Sequence, residues 1–277
     1  MDKEGIILKL KDLSIGYSSR KNDRVVMRRI QASLSAGELT SLIGANGAGK
    51  STLIRTLAGF LPPLSGEMLL ASGKRNAGES DASFAFRSIT DFKPSELARQ
   101  ISVVLTEKPD VGNLRVEEIV GMGRSPYTNL WGKLAKADEL VVEEVLSQVG
   151  ISALSHRQFH TLSDGERQKV MIAKALAQQT PVVLLDEPTA FLDFPSKVEI
   201  LLLLRRLAHK LGKTFFLSTH DLELALQLSD KLWVMNEGTL ETGTPRQMAD
   251  SGLLSRFIDR DDIRLDAKTL RIEVVAQ

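Results

Sequence analysis

A glycine-rich segment that ends in a lysine and two hydroxyl residues has the composition of a phosphate-binding site. The segment reads Gly44, Ala45, Asn46, Gly47, Ala48, Gly49, Lys50, Ser51 and Thr52. A strand pattern precedes it and a helical pattern follows, which is the context that the Gly-x4-Gly-Lys-Ser spacing requires. Glycines let backbone N–H groups point inward at phosphate oxygens, and the helix adds its positive end. The segment therefore predicts a nucleotide site in which Lys50 approaches the β and γ phosphates and Ser51 binds Mg²⁺.

A run of apolar residues that ends in two carboxylates supplies a second feature of such a site. Val182–Leu185 predicts a buried strand, and Asp186 and Glu187 follow it directly. A carboxylate at the end of a strand is suited to hold Mg²⁺ beside the phosphates. The alternatives are a helix cap for the carboxylates and a glycine-rich turn with an accidental lysine. A helix cap would explain only the carboxylates, and a turn with an accidental lysine would explain only the glycine-rich segment.

Two further motifs occur in a fixed order around this strand. Leu162-Ser163-Asp164-Gly165-Glu166 lies upstream of the carboxylates, and Ser218-Thr219-His220-Asp221 follows them. Together with the phosphate loop, this ordered set resembles the ATP-binding cassette (ABC) ATPases, and the resemblance covers residues 8–243. The resemblance implies an ATPase that uses ATP and Mg²⁺.

The resemblance also implies a role for each residue of the ATP site. Tyr17 would stack on adenine, and residues 44–52 would bind the phosphates. Asp186 would hold Mg²⁺ through its water shell, Glu187 would be the general base, and His220 would sense the γ-phosphate. A simple turn aromatic is the alternative for Tyr17, and a capping histidine is the alternative for His220.

A second copy of the chain is implied by the same resemblance. The signature residues would close over ATP held by the other subunit of a head-to-tail homodimer; they are Ser163, Asp164, Gly165 and Glu166. Residues 190–193, which end at Asp193, are similar to the D-loop of the family.

Two positions depart from the family's pattern. Asp164 stands where a small glycine is usual, and the helix dipole and backbone donors at that point can accommodate its charge. Thr106 stands at the position of a glutamine, the Q-loop position, with Glu107 next to it. Either the Thr106 hydroxyl approaches Mg²⁺ through a water, or Glu107 supplies a carboxylate. We favour Thr106, because another carboxylate beside Glu187 and the phosphates would add repulsion.

The middle of the chain indicates which group of ABC ATPases it is similar to. Residues 116–127, the following Leu130-Trp131-Gly132 and residues 176–181 are similar to the ferric-siderophore, haem and cobalamin importer ATPases. This similarity implies separate transmembrane permease subunits, an extracytoplasmic substrate-binding protein that acts indirectly, and a cytoplasmic place at the inner face of the membrane. The aromatic and basic residues here either form a docking surface for a membrane subunit or pack within the domain.

Strand and helix patterns alternate along the chain and indicate an α/β fold with a parallel core. With the resemblance, we expect a P-loop NTPase (RecA-like) core of ABC ATPase type, an inserted helical subdomain and an N-terminal antiparallel β portion. A single domain would span residues 1–277, with its core at about 1–93 and 181–243, the helical subdomain at about 94–180 and a C-terminal extension at about 244–277. Residues 16–19 predict a turn, residues 72–91 a loop with one strand, and the extension a short helix and a strand.

Composition and charge exclude several other classes of protein. The 277 residues contain no cysteine, which excludes disulfide scaffolds, thiol catalysis and Cys-ligated zinc. The net charge is +1, so there is no basic excess with which to bind nucleic acid. No apolar run approaches the ~18–20 residues that cross a bilayer, so the permease would be another polypeptide. The alternative function, a soluble ABC ATPase acting on nucleic acid or ribosomes, lacks the expected second cassette or heptad insertion.

Overall fold

The computed structural model describes residues 5–19, 22–72, 85–107, 112–129, 132–236 and 238–275. The strands in these ranges are β1 (Ile6–Tyr17), β2 (Arg24–Ser35), β3 (Leu39–Gly44), β4 (Ser65–Ser72), β5 (Ala85–Ser88), β6 (Ile101–Val104), β7 (Val182–Leu185), β8 (Thr214–Ser218), β9 (Lys231–Asn236), β10 (Thr239–Gly243), β11 (Ile263–Asp266) and β12 (Arg271–Val274). The α-helices are α1 (Lys50–Leu57), α2 (Pro94–Leu97), α3 (Val116–Gly121), α4 (Lys136–Val149), α5 (Asp164–Ala177), α6 (Phe194–Leu211), α7 (Leu222–Leu228), α8 (Pro245–Asp250) and α9 (Leu253–Ile258).

A six-stranded sheet forms the centre of the molecule, in the order β10-β9-β3-β8-β7-β6. Its strands are parallel except for β10, which pairs with β9 in the antiparallel sense. Successive side chains of β7 enter different cores: Val183 and Leu185 pack on one side of the sheet, and Val182 and Leu184 on the other. Because β3, β8 and β7 are parallel neighbours, the residues that follow their carboxyl ends lie at one edge of the sheet.

The antiparallel sheet β2-β1-β4-β5 packs over one face of the central sheet together with α1. The predicted turn over residues 16–19 is wrong at its first two positions, because Gly16 and Tyr17 continue β1 and pair with Val25 and Arg24. A Cβ on Gly16 would lie 2.2 Å from the backbone oxygen of Arg24, so this close strand pairing requires glycine. The strand predicted within residues 72–91 is β5; residues 73–84 lie outside the described ranges.

Helices α3, α4 and α5 pack together and share an apolar core with the other face of the central sheet. Helix α3 ends at Gly121, a 3-10 segment covers Met122–Tyr127, and α4 begins at Lys136. Helix α4 stops at Gly150, which has φ +78°, the left-handed conformation that ends many helices. None of the described helices combines the length and the apolar character needed to cross a bilayer.

The C-terminal extension contains more structure than the predicted helix and strand. Its helices α8 and α9 and the hairpin of β11 and β12 form a third apolar core with β3 and β9, which contribute Ile43, Leu232 and Val234. The prediction fails because each of these elements has only four to six residues, too few to show a periodic pattern.

Candidate active site

The phosphate loop connects β3 to α1 as predicted. Gly47 and Gly49 have φ of +78° and +104°, backbone conformations that residues with a Cβ rarely adopt. A Cβ on Gly49 would lie 2.2 Å from Cγ1 of Val26 on β2, so packing also requires glycine here. The loop residues 45–47 are exposed, and their backbone is therefore open to a ligand at the N-terminus of α1.

Lys50 is buried beneath this loop. Its Nζ donates to the backbone oxygens of Gly44 at 2.9 Å and Ala45 at 3.2 Å. Burial lowers the pKa of Lys50 below its ordinary value, against the opposing effect of the nearby Glu187 and Asp186 charges. The loop thus holds a desolvated cation at its centre, where a phosphate would bind.

Asp186, at the end of β7, is the buried acceptor of two hydroxyl groups. Its Oδ1 accepts from Ser51 Oγ at 3.1 Å and from Ser218 Oγ at 2.7 Å. The three side chains come from α1, β8 and the end of β7, and they form a compact set of oxygen atoms beside Lys50. Carboxylate and hydroxyl oxygens are ligands that Mg²⁺ accepts, so the residues present fit this ion.

Glu187 and His220 form the exposed side of the same cluster. His220 Nε2 lies 2.7 Å from Glu187 Oε1. The backbone N–H of Glu187 donates to Ser218 Oγ at 2.9 Å, and Glu187 has φ +51°. The structure thus brings together five of the sequence-predicted site residues: Lys50, Ser51, Asp186, Glu187 and His220.

Thr106 and Glu107, the two candidates at the Q-loop position, point in different directions. Thr106 Oγ1 donates to the backbone oxygen of Asp186 at 2.7 Å. Glu107 is 81% exposed at its side chain and pairs with Arg55 of α1 at 3.3 Å. Thr106 therefore contacts the backbone of Asp186, whereas the Glu107 carboxylate is paired with an arginine of α1.

The signature and D-loop residues begin two helices that touch. Ser163 caps α5: its Oγ accepts from Glu166 N at 3.3 Å, and the Glu166 carboxylate accepts from Ser163 N at 2.8 Å. The bond from the Ser163 backbone lowers the pKa of Glu166. Asp164 lies 3.7 Å from Arg167, one turn along α5. A Cβ on Gly165 would lie 3.3 Å from Ser196 Oγ, so glycine lets α5 approach α6 closely.

Asp193 and Tyr17 are each held by a hydrogen bond within the chain. Asp193 caps α6 by accepting from Ser196 N at 3.1 Å, and bonds from Ser196 lower the Asp193 pKa. Tyr17 is half-exposed at the end of β1, and its hydroxyl lies 3.1 Å from Thr52 Oγ1 on α1. The tyrosine ring is therefore held beside the phosphate loop, although the two residues are 35 positions apart.

Sequence reasoning assigns Ser218 no role, yet its hydroxyl contacts both Asp186 and Glu187. The signal for it is topological. In the parallel sheet Leu217 of β8 pairs with Leu185 of β7, so the next residue on each strand reaches the same edge. A serine at that point of a buried strand is therefore expected to face the carboxylates.

Arg124 of the middle segment is internal, whereas Met122 and Tyr127 are exposed. The buried Arg124 donates to Asp138 Oδ1 at 2.8 Å and to the backbone oxygen of Ala177 at 2.7 Å. Its guanidinium carbon lies 4.1 Å from the centroid of the Tyr127 ring. Packing within the domain, the second of the two alternatives, therefore accounts for Arg124. Leu130 and Trp131 lie outside the described residues.

A separate apolar groove of about 610 Å³ begins where α1 ends. Phe60, Leu61, Phe92, Leu97 and Gln178 are among the residues that line it. Phe60 is 59% exposed, and Arg55, the partner of Glu107, lies on α1, the helix that leads into the groove. Exposed apolar residues in a concave surface are typical of an interaction site.

Comparison with known proteins is consistent with this site. The sequence profile of the ABC transporter family matches residues 27–190. An uncharacterised ABC transporter ATP-binding protein of Methanocaldococcus jannaschii is 39% identical over 254 residues, which are 91% of this chain and 81% of that protein. The achromobactin transport ATP-binding protein of Dickeya dadantii is 36% identical over 253 residues, which are 91% of this chain and 87% of that protein.

Solved structures show the same relationship. A structure described as an inward-facing conformation of a metal-chelate type ABC transporter has a TM-score of 0.75 and 26% identity, and the match covers 91% of this chain and 89% of that chain. The fold class and the family predicted from the motifs are confirmed. This chain belongs to the ABC transporter family, and it is an ATP-binding subunit that hydrolyses ATP.

Proposed function

We propose that this chain is the ATPase subunit of a membrane importer that takes up a metal chelate of the iron-siderophore, haem or cobalamin type. The observation that carries the proposal is the convergence of Ser51, Asp186, Glu187 and His220 beside the buried Lys50. The cargo class is supported by the achromobactin transport relative and by the metal-chelate type transporter structure.

ATP would bind at the N-terminus of α1. The N–H groups of residues 44–52 and the Lys50 ammonium would hold the phosphates, and the Tyr17 ring would stack on adenine. Ser51 and Asp186 would hold Mg²⁺, with Asp186 acting through water. When bound, the ion would neutralise charge on the β and γ phosphates.

Hydrolysis would depend on Glu187 as general base. Its carboxylate would accept a proton from the water that attacks the γ-phosphorus, and the bond from γ-phosphorus to the bridging oxygen of ADP would break. His220, 2.7 Å from Glu187 Oε1, would fix the carboxylate and contact the γ-phosphate. Positioning and charge account for this chemistry, because phosphoryl transfer needs no covalent intermediate.

A second copy of the chain would complete each site. Ser163, Gly165 and the other signature residues would contact ATP on that copy, with Asp193 at the shared surface. Two large apolar side chains flank Asp193: Phe191 is 78% exposed and Phe194 is 66% exposed. Burial of such side chains in a homodimer would favour association.

The apolar groove that contains Phe60 would receive a cytoplasmic segment of a separate permease subunit. This would place the chain on the cytoplasmic face of the membrane, with an extracytoplasmic binding protein acting through the permease. The alternative, action on nucleic acid or ribosomes, has little support from a chain with a net charge of +1.

The assigned base can be tested with Glu187→Gln. The amide keeps the shape but loses basicity, so ATP hydrolysis should fall at least ~10²-fold while ATP binding persists. The matched control is Glu199→Gln, since Glu199 is an exposed partner of Lys169 outside the site. Near wild-type hydrolysis by Glu187→Gln would show that the assignment is wrong.

The permease contact can be tested by detergent co-purification. Phe60→Glu should reduce the amount of polytopic membrane protein recovered with the tagged chain. Leu140→Glu is the matched control, because Leu140 is 58% exposed on α4, outside the groove. Equal recovery with both variants would argue against the groove as the docking site.

A further inference from the structure

Ser218 is a fully buried serine at the carboxyl end of β8. It has 0% exposure, and the four residues before it on the strand are also buried. A hydroxyl in such surroundings is costly unless it is hydrogen-bonded. Its bonds go to the residues that follow the neighbouring strand β7.

One hydroxyl group contacts both carboxylate residues. Ser218 Oγ donates its proton to Asp186 Oδ1 at 2.7 Å and accepts the backbone N–H of Glu187 at 2.9 Å. A serine hydroxyl has a single proton, so the bond to Asp186 fixes its direction and leaves lone pairs for the N–H. An aliphatic residue at this position would break both contacts at once.

The bond to Glu187 acts at a conformationally demanding residue. Glu187 has φ +51°, which a residue with a Cβ adopts when its surroundings hold it there. The preceding residue is also fixed, because Asp186 N donates to the backbone oxygen of Val104 at 2.8 Å. The direction of the Glu187 carboxylate, which meets His220, therefore depends on the bond to Ser218.

We propose that Ser218 is a positioning residue for ATP hydrolysis: it sets Asp186 and Glu187 in place relative to each other. The inference rests on the proposed roles of those two residues as magnesium-binding residue and general base. Ser218 acts through them and does not contact ATP.

The test compares three variants of the full chain. In Ser218→Ala, kcat for ATP hydrolysis should fall about tenfold to a hundredfold, because small displacements of reacting groups are costly, while KM for ATP changes less than about twofold. Ser218→Thr keeps the hydroxyl and should recover most of kcat. Ser41→Ala is the matched control: Ser41 is 1% exposed on the adjacent β3, and its hydroxyl pairs with Ser229 at 2.6 Å.

A binding measurement separates positioning from a general structural effect. Equilibrium binding of a fluorescent ATP analogue is titrated with Mg²⁺ under conditions without turnover. The apparent Mg²⁺ affinity should fall about tenfold in Ser218→Ala, the loss typical of a residue that supports a metal ligand. It should be unchanged in Ser41→Ala, and the melting temperatures report whether each variant is folded.

Wild-type kcat and Mg²⁺ affinity in Ser218→Ala would overturn the proposal, as would equal losses in Ser41→Ala. If Ser218→Ala does not fold, Ser218→Cys replaces it; its weak donor should lower kcat, and wild-type kcat would overturn the proposal equally. The experiments distinguish a failure of the proposed role of Ser218 from a failure of the proposed role of Glu187. Inactive Glu187→Gln with active Ser218→Ala rejects only the role of Ser218, whereas active Glu187→Gln rejects the assigned base.

Discussion

The hydroxyl of Thr106 offers a sharp test of how the Q-loop position works in this chain. It donates to the backbone oxygen of Asp186 at 2.7 Å, and the following Glu107 pairs with Arg55 instead. Thr106→Val removes this hydroxyl and nearly preserves the shape of the side chain. Any change in activity then reports on the hydroxyl rather than on packing.

The expected size of the effect follows from the kind of bond that is lost. A hydrogen bond between neutral groups contributes about 1 kcal/mol, which corresponds to about a fivefold change in rate if it holds Asp186 in place for the reaction. A threonine that reached Mg²⁺ through water would behave differently: its loss would raise the Mg²⁺ requirement about tenfold. We expect the first result, a fivefold lower kcat with an unchanged Mg²⁺ requirement.

The assay is steady-state ATP hydrolysis against Mg²⁺ concentration in the assembled complex. Glu107→Ala is the companion variant and should stay within about twofold of wild type, because an exposed ion pair contributes little. A higher Mg²⁺ requirement in Thr106→Val would assign the hydroxyl to the ion. A large defect confined to Glu107→Ala would show that Glu107 supplies the functional carboxylate.

Three further predictions address the phosphate loop, the proposed adenine-stacking role of Tyr17 and the helices α3 to α5. Gly49→Ala should abolish ATP binding and lower the melting temperature, because its Cβ would collide with Val26. In nucleotide titrations Tyr17→Ala should bind ATP about tenfold more weakly, as expected for a lost stacking contact, whereas Tyr17→Phe should bind normally. A backbone N–H at the start of α4, and then Arg124, lower the pKa of Asp138. Its stabilisation is therefore complete above its ordinary pKa of 3.8 and is lost as the pH falls through the lower folded value. Asp138→Asn should remove this acid dependence and cost about 2 kcal/mol at neutral pH in denaturant titrations.

The sequence predicts those parts of the site whose positions follow from the pattern of neighbouring residues in the chain. The order strand, glycine loop, Lys50 and helix is contiguous, and Asp186 follows a strand whose four residues are all apolar. Parallel strands then bring the residues after them to one edge, which accounts for the contact between Glu187 and His220 across 33 positions.

The remaining features depend on contacts that no local pattern encodes. The residues next to Arg124 in the sequence do not indicate its bond to Ala177, which is 53 residues away. Thr106 can be placed at the Q-loop position, but the direction of its hydroxyl depends on how β6 lies against β7. Tyr17 is predicted in a turn because Gly16 precedes it, although the glycine serves the close pairing of β1 with β2.

The contacts of Asp186 suggest how the groove and the active site would communicate. The end of β6 holds Asp186 twice, through the Val104 backbone oxygen and the Thr106 hydroxyl. The next residue, Glu107, reaches Arg55 on the helix that leads into the groove. Because β6 is the edge strand of the sheet, it can shift at lower cost than β7, which has a neighbour on each side. A permease segment that moves the groove would therefore displace β6 first, and the two hydrogen bonds would carry that displacement to the carboxylates.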